Sequence, residues 1–103
     1  MFKSLNLKMS ILLKILKSLA NENRLKIVEI LQRRKKVDLY SLAKLLHVST
    51  SSACQHLKKL ELNYMVKHKI IGHKAFYSLN SKRPLRFNRS LLTLLKKQRK
   101  RFL

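Results

Sequence analysis

The spacing of apolar residues changes once along the chain, and this change constrains the order of its secondary structure. Up to Leu62, apolar residues recur at intervals of three and four, as in helices with one buried face. Beyond it, Val66, His68 and Ile70 alternate with other residues, and Gly72 then separates them from a second short run at 75–79. Alternation around a glycine turn predicts a β-hairpin at 65–79.

Helical spacing and capping residues predict four helices before the hairpin and one after it. The expected ranges are 4–20, 22–34, 39–47, 50–62 and 84–103. Asn21, Asp38 and Ser49 are the N-cap candidates, and Pro84 suits the first turn of the last helix. The third helix should bury Leu42, Leu45 and Leu46. The fold class is therefore mainly α with a β-hairpin, in the order α-α-α-α-β-β-α, within a single domain covering 1–103.

The segment 38–62 has the form of a helix-turn-helix, because two short helices are joined there by very few residues. In the second helix Ala53, Leu57 and Leu60 form one apolar stripe. Its other positions hold hydroxyls, one amide and lysines, which suit base edges and phosphates in a DNA major groove. Taken alone, the same segment could be an ordinary amphipathic helix with a solvated face.

Charge favours the DNA interpretation. The chain has 25 Lys and Arg against 4 Asp and Glu, a formal net charge of +21. A compact domain with this charge repels itself, and a polyanionic partner relieves the repulsion. Nucleic acid is the commonest such partner, and an anionic membrane surface is the competing one. Because 46% of the residues are hydrophobic, the composition is not that of a disordered chain.

A helix-turn-helix followed by a basic hairpin predicts a winged helix, with a recognition helix in the major groove and the wing along the DNA backbone. The residues expected to contact DNA are Ser49, Thr50, Ser51, Ser52, Cys54, Gln55, His56, Lys58 and Lys59, followed in the wing by Lys67, Lys69, His73 and Lys74.

Three motifs resemble the ArsR/SmtB family of bacterial winged-helix repressors. Leu19–Ile27 is similar to the family's opening "LA-x-x-x-R-L-x-I" motif, Ser49–Leu60 to its recognition helix, and Val66–Leu79 to its wing. The resemblance implies a homodimer, built from the first and last helices, that binds a palindromic operator in double-stranded DNA. The dimerisation helices would be 4–20 and 84–103, with Leu5, Met9, Leu12, Leu16, Leu91, Leu92 and Leu95 at the interface.

The chain departs from the family at its metal sites. The family's metal sensors have a Cys-x-Cys-type motif at the start of the third helix, where this chain has Val37–Ser41 without a thiol. The Asp, His and Glu ligands of the last helix are missing from 84–103. We therefore expect no metal and no other cofactor. At Tyr64 the family usually has glycine, and Asn63 is the expected left-handed cap in its place.

Single residues allow further interpretations. Cys54 could be an oxidisable switch or a serine-sized substitute, and the lack of a second cysteine favours the substitute. The four histidines match no zinc spacing. The basic side of the last helix could be a solvated face, a DNA contact or a membrane patch.

The function expected from these features is sequence-specific transcriptional regulation, by repression and without metal. The alternative is a non-specific, basic nucleoid-associated or membrane-surface protein. Scattered acids and a single glycine give no candidate catalytic group or phosphate loop, so we do not expect an enzyme. With no signal sequence or spanning segment recognised, a cytoplasmic location without membrane partners is expected.

Overall fold

A computed structural model describes the backbone of residues 2–80 and the side chains of residues 9–80. Its elements are α1 (Phe2–Leu19), α2 (Glu22–Arg34), β1 (Lys36–Asp38), α3 (Leu39–Leu46), α4 (Thr50–Leu62), β2 (Val66–Ile71) and β3 (Lys74–Leu79). The four predicted helices and the hairpin are confirmed in this order. The predicted helix over 84–103, with Pro84 at its start, lies outside the described residues.

All three predicted N-caps are confirmed, and each satisfies a backbone N–H that the helix leaves unpaired. The Asn21 side chain accepts from Arg24 N at 3.1 Å, and Ser49 Oγ accepts from Ser52 N at 3.0 Å. Asp38 accepts from both the backbone and the hydroxyl of Ser41, at 3.2 and 2.6 Å. The hydroxyl bond is the main reason why the pKa of Asp38 lies below its usual value.

The predicted winged-helix fold class is confirmed, and strand β1 adds a third strand to the two predicted for the hairpin. The sheet has three antiparallel strands in the order β1-β3-β2, so β3 is central. Val37 pairs with Tyr77, and His68 pairs with Tyr77 from the other side. Since β1 is only three residues long, it is too short for an alternating pattern to be recognised in the sequence.

The core lies where the helices meet the sheet. The side chains of Ile27, Val28, Leu42, Leu57 and Leu60 are all 0% exposed. Leu45 was wrongly assigned to the buried face of α3, since it is 39% exposed and Ala43 is buried instead. An eight-residue helix buries only a narrow face, and Leu42, Ala43 and Leu46 occupy it. The small Ala43 side chain gave no strong hydrophobic signal there.

Helices α3 and α4 both end in left-handed residues. Helix α3 stops at Leu46 rather than at the predicted His47, because His47 has φ 57° and acts as the cap. At the end of α4, Tyr64 has φ 59°, whereas Asn63 has φ −99°. The prediction that Asn63 adopts the left-handed conformation was therefore wrong.

The hydrogen bonds at Tyr64 explain this correction. Tyr64 N donates to Glu61 O and Met65 N donates to Leu60 O, both at 3.0 Å, which is the Schellman pattern. Asn63 has a different role: its side-chain amide donates to Lys59 O at 3.1 Å and to Ser18 Oγ of α1. It therefore ties α4 to α1 through its side chain.

We predict that Tyr64→Gly stabilises the fold and Asn63→Gly destabilises it. Glycine at 64 relieves a left-handed cost of roughly 1–2 kcal/mol and loses roughly 0.5–1 kcal/mol of chain entropy, so the net gain reaches at most about 1.5 kcal/mol. Glycine at 63 removes two hydrogen bonds and relieves no strain. Urea unfolding measures both free energies, and a greater gain from Asn63→Gly would contradict the assignment of the cap.

Candidate nucleic-acid interface

Helix α4 exposes a polar face that contains five of the residues predicted to contact DNA. Ala53, Leu57 and Leu60 are 0% exposed, and this stripe turns the opposite side of the helix toward solvent. The exposed residues of that side are Thr50, Ser51, Gln55, Lys58 and Lys59. Ser49, also exposed, uses its hydroxyl as the cap of α4. Hydroxyls, an amide and two cations therefore lie along one accessible surface, which we call the α4 face.

Three other predicted residues, Ser52, Cys54 and His56, lie at the margins of the α4 face and are only half-exposed. Cys54 interacts electrostatically with Tyr77 of β3, which places it on the side of the sheet. His56 lies on the opposite margin, toward Arg24 of α2. Burial first, and then the charges of Arg24 and Lys59, lower the pKa of His56 below its usual value. Both causes favour the neutral form of His56.

A hydrogen bond connects the wing, β2 and β3, to helix α4. His68 Nδ1 of β2 lies 2.8 Å from Glu61 Oε2 of α4, with both side chains more than a third exposed. The His68 ring also contacts the Tyr77 ring, with centroids 5.3 Å apart. Tyr77 is buried, and burial is the main cause that raises its pKa. These contacts fix the direction in which the wing leaves α4.

The predicted cations of the wing do not form one cluster. Lys67 and Lys69 alternate with His68 along β2, so their side chains point away from the His68 contact with α4. On that side, Lys69 pairs with Phe76, and the Lys36 ammonium lies 5.3 Å from the Phe76 ring. His73 is exposed beside Gly72, which has φ 63° in the turn. Lys74 of the wing lines a cleft at the start of α4.

A cleft of about 560 Å³ brings Lys74 together with Thr50 at the start of α4. Tyr40 and Lys44 of α3 and His47 of the turn also line it. Sequence reasoning missed these three residues because it considered only the outer face of α4. Applying the same test to the polar side of α3 would have found them. Asp38, the acid in the cleft, is held by Ser41 and lies near Lys74.

One face of α1 is apolar and exposed. Met9, Leu13 and Leu16 are 66, 52 and 46% exposed, and Leu12 is half-buried. On the opposite face Ile15 and Leu19 belong to the core. Met9, Leu12 and Leu16 were predicted at a dimer interface. The other predicted interface residues, namely the Leu5 side chain, Leu91, Leu92 and Leu95, lie outside the described residues.

Several solved structures share this fold. HlyU from Vibrio cholerae is 26% identical, with a TM-score of 0.77 over 88% of this chain and 94% of that chain. The transcriptional repressor PagR of Bacillus anthracis is 26% identical, with a TM-score of 0.66 over 92% and 99%. Mb0332 from Mycobacterium bovis, a homodimeric winged helix-turn-helix DNA-binding domain and possible ArsR-family regulator, is 19% identical, with a TM-score of 0.77 over 92% and 83%. No family model matches the sequence, and no curated protein is detectably similar to it.

These likenesses confirm the resemblance found in the three sequence motifs. The chain has the winged helix-turn-helix fold, which it shares with HlyU and with a possible ArsR-family regulator. In this fold α4 is the second helix of the helix-turn-helix, and the hairpin of β2 and β3 is the wing.

Within residues 9–80, no three His, Cys, Asp or Glu side chains are close enough together to hold a metal ion. Cys54 is the free thiol in this range. Likewise, no helix in the described residues is long and apolar enough to cross a membrane.

We predict that His56→Gln flattens the pH dependence of stability. The folded state keeps the pKa of His56 below its usual 6.5, so the unfolded chain takes up this proton first as the pH falls. The stability contribution of neutral His56 is complete above that value and is lost below it. Urea unfolding between about pH 7.5 and 5.5 should show a smaller slope in this variant. His73→Gln, at an exposed wing residue, should keep the wild-type slope; equal slopes in all three proteins would refute the prediction.

Proposed function

We propose that this chain is a transcriptional regulator that binds a specific sequence in duplex DNA. The observation that supports this most directly is the α4 face, an accessible row of hydroxyl, amide and ammonium groups. Its exposed residues between Thr50 and Lys59 include no acid. Hydrogen bonds of this kind read base edges in the major groove, and ammonium groups neutralise phosphates.

Different parts of the α4 face have different roles in this proposal. Gln55 and Ser51 read base edges from the exposed side of the helix, and an amide suits adenine in particular. Thr50, Ser52 and Lys58 hold phosphates, joined by Lys74 across the shared cleft. Lys44 and His47 in the same cleft extend the phosphate contacts. Cys54 and His56, at the margins of the face, support the helix more than they contact the groove.

Repression without metal is the mode of regulation that we propose. A small domain with no additional module in its described part can block transcription simply by occupying a promoter. The similar protein PagR is described as a transcriptional repressor, which agrees with this mode. Metal independence is proposed because Val37–Ser41 carries no thiol at the place where the metal sensors of the resembled family have a Cys-x-Cys-type motif.

A homodimer is the proposed binding unit, and a palindromic operator is its proposed target. The exposed Met9, Leu13 and Leu16 form an apolar surface on α1 that a second copy can cover. Mb0332, which shares the fold, is described as homodimeric. A two-fold axis through this surface gives the two recognition helices symmetric positions. They are expected to meet successive major grooves about 34–36 Å apart.

We predict that Gln55→Ala weakens binding to the preferred duplex by about 1–3 kcal/mol and changes binding to random duplex little. The preferred duplex comes from selection in a random pool, and fluorescence anisotropy measures both affinities at one salt concentration. Lys58→Gln is the contrasting variant, because loss of a phosphate contact weakens binding to both duplexes. It also lowers the salt slope, the slope of the logarithm of the binding constant against the logarithm of salt concentration, by about 1. Equal losses of binding free energy on both duplexes for Gln55→Ala would show that Gln55 contacts the DNA backbone rather than a base.

We predict that Met9→Lys combined with Leu16→Lys produces a monomer with weaker operator binding. Both side chains are about half or more exposed, so the isolated fold tolerates lysine while a dimer interface does not. The salt slope should fall by about half, since half of the phosphate contacts leave with the partner.

Sedimentation velocity and anisotropy on the same samples measure assembly and binding together. Leu62→Lys changes another exposed leucine, which lies on α4, and should leave the sedimentation coefficient unchanged. A monomeric double variant with wild-type operator affinity would show that the dimer is not the binding unit.

The second candidate function is non-specific binding, either to nucleoid DNA or to an anionic membrane surface. The charge of +21 favours it. The lysine side of the sheet favours it too, because Lys67 and Lys69 point away from the His68 contact with α4 and Lys36 lies over Phe76. Selection from a random duplex pool separates the candidates, because a non-specific protein enriches no sequence. Binding to anionic vesicles in preference to duplex DNA would support the membrane version.

A further inference from the structure

A second concavity, of about 290 Å³, lies at the junction of the ends of α1 and α4. We call it the basic pocket. It is lined by Lys14, Lys17 and Ser18 of α1, Arg24 of α2, Lys59 and Leu62 of α4, and Asn63. Four of the seven lining residues are cationic and none is acidic.

Arg24 is the unusual member of the basic pocket, because its charged side chain is only 9% exposed. Its Nε donates a hydrogen bond to the carbonyl oxygen of Ser18, at the end of α1. The nearby carboxylates are engaged with other side chains, since Glu22 pairs with Lys26, Glu29 with Arg33, and Glu61 bonds to His68. Burying a cation without a counter-charge costs free energy, of which a helix C-terminus offsets only a part.

The neighbouring lysines increase this cost. Lys14, Lys17 and Lys59 converge on the same concavity as Arg24, and like charges repel most where water is partly excluded. The positive potential extends to the neighbouring histidine, since Arg24 and Lys59 both contribute to lowering the pKa of His56. An anion in the basic pocket supplies the missing counter-charge for Arg24 and attracts the lysines that otherwise repel one another.

The polar groups around the cations are held in position. Asn63 Nδ2 donates to Ser18 Oγ and, at 3.1 Å, to Lys59 O, which links the two helices that form the walls. Arg24 is fixed at the base by its bond to Ser18. A guanidinium offers paired donors to oxyanions, and lysines add mobile point charges at the rim.

We infer that the basic pocket binds a small phosphate-bearing anion, of about the size and charge of pyrophosphate. Its volume is at the lower limit for ligand sites, which suits one or two phosphate groups better than a dinucleotide. The inference concerns a ligand other than duplex DNA and stands without the proposed function.

A regulatory consequence does depend on the proposed DNA binding. Lys59 belongs both to the basic pocket and to the α4 face. An anion held by Lys59 removes a cation from the surface that faces duplex DNA, so anion and duplex weaken each other's binding by the same factor.

The test titrates the full-length chain with pyrophosphate at fixed ionic strength. Amide chemical shifts locate the site, and calorimetry gives the stoichiometry and Kd. We expect one site, with the largest shifts at Ser18, Arg24 and Asn63. Lys14→Gln with Lys17→Gln changes two exposed lysines of the pocket and should weaken binding at least about tenfold, through the loss of charge-assisted hydrogen bonds.

The control must remove the same charge, because a chain with a net charge of +21 attracts every polyanion. Lys26→Gln with Lys35→Gln does so at exposed lysines that do not line the pocket, and its Kd should stay within about twofold of wild type. Equal weakening in the two double variants, or shifts spread along the whole chain, would show attraction without a site and overturn the inference.

A duplex arm identifies the source of the phosphate. If the pocket instead holds the DNA backbone, Lys14→Gln with Lys17→Gln lowers the salt slope for random duplex by about 2 relative to the control variant. That outcome, with no pyrophosphate shifts, overturns the inference in favour of a DNA contact. If the wild-type chain binds pyrophosphate but no duplex DNA, the proposed function is refuted and the basic pocket remains supported.

Discussion

The burial of one stripe of α4 is the constraint on which the rest of the interface depends. Ala53, Leu57 and Leu60 have no exposed surface, so rotation of the helix about its axis would open the core. Because the stripe is fixed, the opposite side must face solvent, and its polar residues form a continuous surface. The His68–Glu61 hydrogen bond then sets the wing against this helix. Packing of the core thus sets the position of the polar surface, and the exposed polar groups themselves contribute little to stability.

The two ends of α4 differ in how they are attached to the remainder of the fold. Its beginning follows a tight turn after the left-handed His47 and borders the cleft that contains Lys74. Its end is tied to α1 through Asn63 and Ser18, beside the buried Arg24. The first attachment places the cations of the cleft beside the surface proposed to bind duplex DNA. The second encloses cations in a small pocket, and for this reason the two sites suit phosphates of different size.

Most of the fold followed from the sequence because its signals are local and strong. Each N-cap residue stands directly before a helix, and the apolar stripes recur over several turns. Strand β1 could not be found this way, since its one buried residue, Val37, gains its position only by pairing with Tyr77 across the sheet. The left-handed Tyr64 was missed for a related reason. Residue preference favoured Asn63, but the buried Met65 and Leu60 determine where the chain must reverse.

The candidate site was predictable in part. The α4 face follows from periodicity alone, whereas the cleft combines residues of α3, the turn and β3 that are distant in sequence. The role of Arg24 was likewise invisible, because an arginine in a helical pattern ordinarily implies a solvated position. Its burial depends on the carbonyl of Ser18, which only the folded arrangement of α1 and α2 brings near.

The positions of the acids explain how so basic a chain keeps its recognition surface positive. The sequence has only four Asp and Glu residues, and the structure gives each a local partner. Glu22 and Glu29 pair with Lys26 and Arg33 one turn further along α2. Asp38 caps α3 and Glu61 holds the wing. None of these carboxylates lies among the exposed hydroxyls and lysines between Thr50 and Lys59. The cations there stay free of competition from within the described fold, and a phosphate backbone is the partner that this arrangement suits.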